Sequence, residues 1–395
     1  MKILLVHNTY QHQGGEDVIL REESRLLESH GHVVIHYERD NDELRGRSGL
    51  GALAAAGQTV WSFSSYGAVN EILKKEKPDL AHFHNTFPLI SPSAYYACAK
   101  EGVPVVQTLH NYRLLCPAAS MVRDGKVCES CLGRAIPWPG VVHACYRGSR
   151  PATLATAAML AVHRALRTYR EKVNVYIALS EFARGKFIEG GLPADRIVVK
   201  SNFVADRTTR QASRGDYALF VGRLSEEKGP QLLPTAWQAM KSQIPLRIVG
   251  DGPLWKPLRE DIERDGLALR IELMGRRSPD EVASLIGGAR VLIAPSICYE
   301  TFGLTVVEAY SCGRPVIVSR IGALAEIVQD GVTGLHFEPG NAADLAAKVE
   351  WAWNHPDAMA EMGRAARREY EAKYTPEINY QILMRIYEQA TAAEA

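Results

Sequence analysis

Short apolar runs alternate with amphipathic stretches along the whole chain. Lys2–Val6 is a run of the kind a fully buried strand shows. A polar loop ending in Gly14-Gly15 follows, and then Glu16–His30 sets Val18, Ile19, Leu26 and Leu27 at helical spacing. Gly31 closes that helix, and His32–Tyr37 predicts the next strand. Leu80–Phe83, Val103–Leu109, Val173–Leu179 and Ile197–Lys200 read as further buried strands. The stretch 205–216 is polar and without apolar periodicity, and predicts a linker. Beyond it the same logic restarts with Tyr217–Val221, Leu246–Val249, Ile271–Met274, Arg290–Ala294 and Val316–Val318. Strands alternating with helices predict parallel sheets covered on both faces, an α/β fold. The expected organisation is two Rossmann-like domains, 1–204 and 217–374, with a loop at 111–150 in the first and a helix at 375–395. Between the domains' motifs, Pro151–Lys172 reads as one long helix, part apolar (Leu154, Met159, Leu160, Val162) and part basic (His163, Arg164, Arg167, Arg170, Lys172).

One stretch concentrates candidate chemistry. Ala294–Pro315, APSICYETFGLTVVEAYSCGRP, begins where a strand ends. Pro295 and Ser296 stop the strand, Gly303 stands where a helix should begin, and Gly313 and Pro315 end it. Glu300 then lies in the turn and Glu308 about one turn into the helix. Both flank a helix N-terminus, whose free N–H groups and dipole favour an anion. A ligand with phosphate in the middle and hydroxyls at its ends suits such a site. Two other strand-to-helix turns carry cations or glycines: Gly222-Arg223-Leu-Ser-Glu-Glu-Lys228-Gly229, and Gly275-Arg276. Arg offers a fixed fork and Lys a mobile point charge, a combination suited to a diphosphate.

In the first half, Gly14-Gly15 precedes a helix and permits close backbone approach to a ligand, or is only a tight turn; it lacks the full G-x-G-x-x-G of a dinucleotide site. Two strands end in His-Asn, at His84-Asn85 and His110-Asn111, where open α/β sheets bind ligands. Asp40-Asn-Asp42 matches a metal-binding D-x-D but sits in the polar run ERDNDELRGR, which reads as a solvated loop.

Composition narrows the classes. The 395 residues carry a net charge of +1, so no field argues for nucleic acid. No apolar run approaches the roughly 20 residues that span a bilayer. MKILLVHNTY turns polar too soon for a secretory signal, so a cytoplasmic protein is expected. Four of the seven cysteines, Cys116, Cys128, Cys131 and Cys145, fall in a loop rich in Gly and Pro. Thiolates at C-x₂-C spacing take two corners of a tetrahedron, and four close a structural zinc site; an iron–sulfur cluster uses the same ligands, and four reduced thiols are the alternative.

The string from Pro295-Ser through Glu300, Phe302-Gly303-Leu304, Glu308-Ala and Gly313-Arg-Pro-Val resembles the signature of the retaining glycosyltransferases of the GT-B fold, in family 4, which includes sucrose synthases and mannosyltransferases. Gly222-Arg-Leu-x-x-Glu-Lys-Gly229 matches the same family. The resemblance is strongest from Gly222 to Gly340. It implies two domains facing across a cleft, a C-terminal helix crossing back to the first, and a nucleoside-diphosphate sugar on the second. Glu308 would bind ribose, Glu300 the donor sugar, and backbone N–H groups near Phe302, Gly303 and Leu304 the diphosphate. Arg223 and Lys228 would neutralise the leaving group without a catalytic metal, the base would lie near Gly275 and Arg276, and His110 would reach the sugar. The family's His is usually followed by Asp; Asn111 replaces it here. The acceptor would be a glycan, lipid-linked or small molecule. Separately, the part-basic stretch Pro151–Lys172 would either lie on an anionic membrane surface, peripheral on the inner face of the plasma membrane, or pack on the sheet with a solvated basic end. A nucleotide-sugar epimerase and a non-catalytic nucleotide-sugar-binding protein share the fold and stand as alternatives.

Overall fold

The computed structural model describes residues 1–10, 14–45, 50–206 and 215–392. The chain divides into two compact units: Met1–Met121 with Cys128–Ser201 and Asn379–Ala395, and Asn202–Ile378 with Val122–Val127.

The first unit is built on β1 (Lys2–Thr9), β2 (Val33–Asp40), β3 (Leu80–Asn85) and β4 (Val105–Thr108); a short antiparallel pair β5 (Val122–Arg123) and β6 (Lys126–Val127) interrupts the count before β7 (Val175–Ala178) and β8 (Ile197–Val199). The large sheet is parallel, in the order β2-β1-β3-β4-β7-β8. Its apolar strands bury completely: Ile3, Leu4, Leu5 and Val6 are shielded from water. The last helix, Pro376–Ala392, contributes Leu383, Ile386, Tyr387 and Ala390 to this same core, alongside Ile3, Leu20, Val106 and Ile177. Burying four such side chains is worth several kcal/mol, at about 25 cal/mol per Å² of apolar surface.

The second unit repeats the plan with β9 (Ala218–Val221), β10 (Leu246–Val249), β11 (Ile271–Gly275), β12 (Val291–Ala294), β13 (Val316–Ser319) and β14 (Gly334–Phe337). Its order is β11-β10-β9-β12-β13-β14, all parallel. Trp237 is fully buried in its core, and its indole N–H donates to the Ile244 carbonyl at 2.8 Å. The crossovers reverse direction between β9 and β12. The loops leaving those two strands therefore part, and an open α/β sheet has its ligand crevice at such a switch point. In the first unit the corresponding reversal falls between β1 and β3.

Several boundaries differ from the sequence expectation. Asn202–Val204, assigned to the first domain by pattern, belong with the second unit: the Val204 N–H donates to the Tyr374 carbonyl at 3.2 Å, and the neighbouring Asp206 pairs with Arg367 at 2.7 Å. Most of the expected linker, 207–214, lies outside the described residues. Val122–Val127, inside the loop expected to belong to the first domain, groups with the second unit, and the closing helix joins the first unit from Asn379 rather than from 375. The single helix expected over Pro151–Lys172 is two, Arg150–Ala165 and Thr168–Glu171, because Arg167 adopts a left-handed φ of 55° that a continuing helix excludes. His163, assigned there to a basic face, is buried, with Nε2 on the Val60 carbonyl and Nδ1 on Thr168 Oγ1. Burial lowers its pKa.

Candidate functional site

The second unit's site grows from the turns that follow β9 and β12. Gly229 has a φ of 71°, and a Cβ there would fall 1.9 Å from the Pro295 carbonyl oxygen. Only glycine allows the Lys228-Gly229 turn to lie this close to the Pro295-Ser296 turn. A backbone bond from Ile297 N–H to the Glu227 carbonyl at 3.0 Å joins the two loops again. The result is an ion pair between residues 72 apart: Lys228 Nζ donates to Glu300 Oε1 at 2.7 Å and Oε2 at 2.9 Å. Ser296 Oγ donates to Glu300 Oε1 at 2.7 Å. Burial works to lower the Lys228 pKa, but the Glu300 carboxylate outweighs it and holds the ammonium up at about 12. The lysine is therefore charged across the physiological range, and its charge is already directed at an anion.

Arg223 leaves the same β9 turn and is exposed. Its loop is backed by the next one: Leu224 N–H donates to the Asp251 carbonyl at 2.9 Å. Gly250, at φ 144°, packs so closely on Gly222 that an added Cβ would meet the Gly222 oxygen at 1.8 Å. Gly222 N–H in turn donates to the Val249 carbonyl. Gly303 precedes the helix Leu304–Ser311, which has no side-chain cap; its orphan N–H groups and dipole are available to an anion. Phe302 is buried, edge-on to Tyr374 at 6.0 Å. Glu308 is half-buried one turn into that helix. Gly275 ends β11 at a left-handed φ of 72°, and Arg276 beyond it is exposed. The Trp255 ring lies 3.8 Å from the place a Gly275 Cβ would take, an aromatic neighbour that the glycine signal in the sequence did not show.

In the first unit, Gly14 is extended, and an added Cβ would meet nothing within 4 Å. Gly14 N–H donates to Asp17 Oδ2 at 2.7 Å, and Asp17 Oδ1 meets His7 Nε2 at 2.8 Å. Beside this turn stands Glu16, which sequence reasoning passed over. Asn85 Nδ2 and Asn111 Nδ2 each donate to its carboxyl at 3.3 Å. Burial, and then the charge of Asp17, push its pKa up to about 8. Asn111 thus contacts the helix turn in the place where the family resemblance expects Asp. An acid directly after two glycines was the available sequence signal.

His110 ends the strand run through β4 and is stacked on His84, with His84 Nδ1 2.9 Å from His110 Nε2. Burial, and then the neighbouring His84, hold the His110 pKa well below its ordinary value. Asp40 and Asp42 are local: Asp40 Oδ1 caps the Asp42 N–H at 2.8 Å, and Asp42 pairs with Arg45 at 3.0 Å.

None of the four loop cysteines is in a disulfide. Gly140 is a neighbour of two of them, Cys131 and Cys145. A Cβ on it would meet the Pro117 ring at 3.0 Å and Cys131 Sγ at 3.5 Å, and the Cys145 N–H donates to its carbonyl at 3.0 Å. The Cys131 thiol is pushed up to about 11, by burial first and then by Cys116, Cys145 and Cys128. Among the described residues, the ligand atoms that already meet within 4.8 Å of one another belong instead to Glu23, His82 and His84.

Comparison with known proteins bears on both units. The sequence model described as "Glycosyl transferases group 1" matches residues 205–369, and that described as "Glycosyltransferase Family 4" matches residues 13–207. An uncharacterized glycosyltransferase of Methanocaldococcus jannaschii is 35% identical over 179 residues, 45% of this chain and 50% of the relative. A D-inositol 3-phosphate glycosyltransferase of Pseudarthrobacter chlorophenolicus is 33% identical over 38% of this chain and 37% of its own length. The aligned part thus spans half or less of these curated relatives. Solved structures agree over nearly the full length. Anabaena HepE in complex with UDP-glucose has a TM-score of 0.71 at 20% identity, covering 98% of this chain and 100% of its own. Sucrose-phosphate synthase from Thermosynechococcus elongatus has a TM-score of 0.74 at 17% identity, covering 99% of each chain.

Proposed function

The chain belongs to the family 4 glycosyltransferases and has their GT-B fold, and from that premise we propose that it moves a sugar from a nucleoside-diphosphate sugar to an acceptor with retention of anomeric configuration. The observation that carries the reading is the Lys228–Glu300 pair at the β9/β12 switch point, 2.7 Å apart beside an uncapped helix N-terminus. A diphosphate entering there finds an ammonium, a guanidinium and backbone N–H groups. Lys228 and Arg223 would stabilise the charge that develops on the leaving diphosphate, which is where such interactions speed a reaction. Glu300, released from Lys228, would accept from donor-sugar hydroxyls, and Glu308 from the ribose. By the family resemblance, His110 is proposed as a contact of the donor sugar. The solved relative holding UDP-glucose supports a uridine nucleotide as the first donor to test.

Catalysis on this reading needs no metal, because cationic side chains do the metal's work. Structural zinc is proposed for Cys116, Cys128, Cys131 and Cys145: after burial, the other three are what raises the Cys131 thiol, the segment is short of apolar core, and thiolate ligands suit zinc. The acceptor is proposed to be a glycan or lipid-linked molecule. Peripheral membrane contact is proposed through the helix Arg150–Ala165, where Leu154 and Val162 are exposed among basic residues. No helix among the described residues is long and apolar enough to cross a membrane.

A thermal-shift screen of nucleotides and nucleotide sugars tests the function, since a ligand of the native state raises its melting temperature. A shift with UDP or another nucleoside diphosphate, lost in Lys228→Ala, is the expected result. No shift with any of them refutes the donor site. Free turnover of a nucleotide sugar to its epimer without an acceptor favours the epimerase instead.

A further inference from the structure

Behind His110 runs a chain of buried polar groups that the proposed reaction does not use. Lys200 Nζ donates to Glu23 Oε2 at 3.1 Å and to Asn379 Oδ1 at 3.0 Å, and Asn379 Nδ2 donates to the Ser201 carbonyl at 2.6 Å. Glu23, Lys200, His82 and His84 are all at least 97% shielded from water. The remaining Glu23 oxygen, Oε1, faces His84 Nε2 at 3.3 Å and His82 Nδ1 at 3.1 Å. Glu23 Oε1 and His84 Nε2 are both buried without a regular hydrogen bond, their 3.3 Å approach included, so the contact between them is electrostatic, a carboxylate oxygen facing a ring nitrogen. On its far side, His84 Nδ1 lies 2.9 Å from His110 Nε2.

We propose that Glu23, paired with Lys200, is a positioning residue that acts through His84 to keep the His110 proton on Nε2 and the His110 lone pair on Nδ1. The proton positions follow one from the next. Lys200 Nζ, 3.1 Å from Glu23, supplies the opposite charge inside the core, so Glu23 stands as a carboxylate that can only accept. Its charge partners drive the Glu23 pKa well below the usual range against the burial that would raise it. His84 is neutral, since burial and then His82 push its pKa down to about 3. It therefore has one ring proton, and the nitrogen facing a carboxylate is the one that keeps it. His84 Nδ1 is then a lone pair, so the proton in the 2.9 Å contact comes from His110 Nε2. His82 Nδ1 faces the same Glu23 oxygen at 3.1 Å and by the same rule keeps its proton there, while the Tyr387 and Thr108 hydroxyls, each 2.8 Å from one of its ring nitrogens, donate or accept as required.

A divalent ion on Glu23, His82 and His84 is the competing use of the same atoms. Lys200 already supplies the positive charge there, and a metal would remove the Nε2 proton of His84. Resting on the proposed role of His110 at the donor sugar, the relay makes that ring an acceptor: any hydroxyl reaching Nδ1 must donate to it. Asn379 and Tyr387 belong to the chain's last helix, so that helix holds the far end of the relay.

The full chain labelled with ¹⁵N in its histidine rings decides this. Long-range ¹H–¹⁵N spectra at pH 7, assigned with His84→Gln and His110→Gln, should show both rings protonated on Nε2. Nδ1–H on His110, or no Nε2–H on His84, overturns the proposal. In Lys200→Met the buried Glu23 should take up a proton and donate to His84 Nε2, flipping both rings to Nδ1–H; unchanged tautomers overturn it. Where that variant does not fold, Glu23→Met with Lys200→Met removes both charges together and should dissolve the single tautomer into a mixture. Flipped rings accompanied by a tenfold or greater drop in UDP-glucose consumption, at unchanged UDP affinity by calorimetry, support the relay and the role of His110. Flipped rings with unchanged consumption keep the relay and refute His110 as a sugar contact.

Discussion

Replacing Glu300 by Gln should tighten the binding of UDP while slowing sugar transfer. The Lys228 ammonium is held by both Glu300 oxygens, at 2.7 and 2.9 Å. A diphosphate must draw the ammonium away from that carboxylate, so part of its binding energy is spent on breaking the pair. The Lys228 side chain is 35% exposed and the Glu300 side chain 17%. Exposed pairs are worth 0–1 kcal/mol and hydrogen bonds to charged groups about 1.5–3 kcal/mol. Solvent screening at the lysine places this pair near about 1 kcal/mol. Removing that cost should lower the UDP Kd by about fivefold, since 1.4 kcal/mol is tenfold. The gain should shrink as salt is raised, because the pair is partly screened. It should vanish on a Lys228→Met background, where there is no ammonium to release. Transfer from UDP-glucose should fall by about a hundredfold, the scale of one lost transition-state contact. Isothermal calorimetry with UDP on the parent, both single variants and the double variant measures the coupling directly. If Glu300→Gln binds UDP no more tightly than the parent, or equally tightly with and without Lys228, the ammonium is not the diphosphate contact and the reasoning fails.

Arg223→Ala should slow transfer about a hundredfold with little change in melting temperature, because the side chain is exposed; steady-state rates within a few-fold of the parent contradict the phosphate clamp. Glu308→Gln should weaken UDP and intact donor alike, which calorimetry with both ligands checks. Elemental analysis should find about one zinc per chain, abolished by Cys128→Ser with Cys131→Ser, while brief chelator treatment leaves transfer unchanged; chelator-sensitive transfer rescued by manganese would show a catalytic metal instead. Glu16, raised from 4.5 to about 8, holds a proton in the folded state that the unfolded chain releases, so stability should fall as pH rises between those values and level off above. Urea titrations at pH 5.5, 7 and 8.5 should show that slope in the parent and not in Glu16→Gln.

Much of this protein is settled by local chemistry, and so by the sequence. Fully buried parallel strands are mostly apolar, so runs such as Val291–Ile293 and Val316–Val318 declare themselves. Turns that admit only glycine, such as Gly229 and Gly250, appear as glycine for steric reasons. The motif from Pro295 to Pro315 is legible because its strand end, helix start and acids lie within one short span. What the sequence leaves open depends on contacts between residues far apart in the chain. Nothing local in Lys228 or Glu300 says that they meet, for the meeting is made by a reversal in strand order and by a loop approach that brings Gly229 onto Pro295. Glu16 looks like an ordinary first-turn acid until Asn85 and Asn111 arrive from two other strands and burial raises its pKa. Glu23 shares the helix face of Ile19 and Leu27, and only Lys200, 177 positions away, lets it stay ionised in the core. Hydrophobic periodicity records which face of an element is buried. The partner of a buried charge is set by topology, because only the folded chain decides which distant groups share the same volume from which water is excluded.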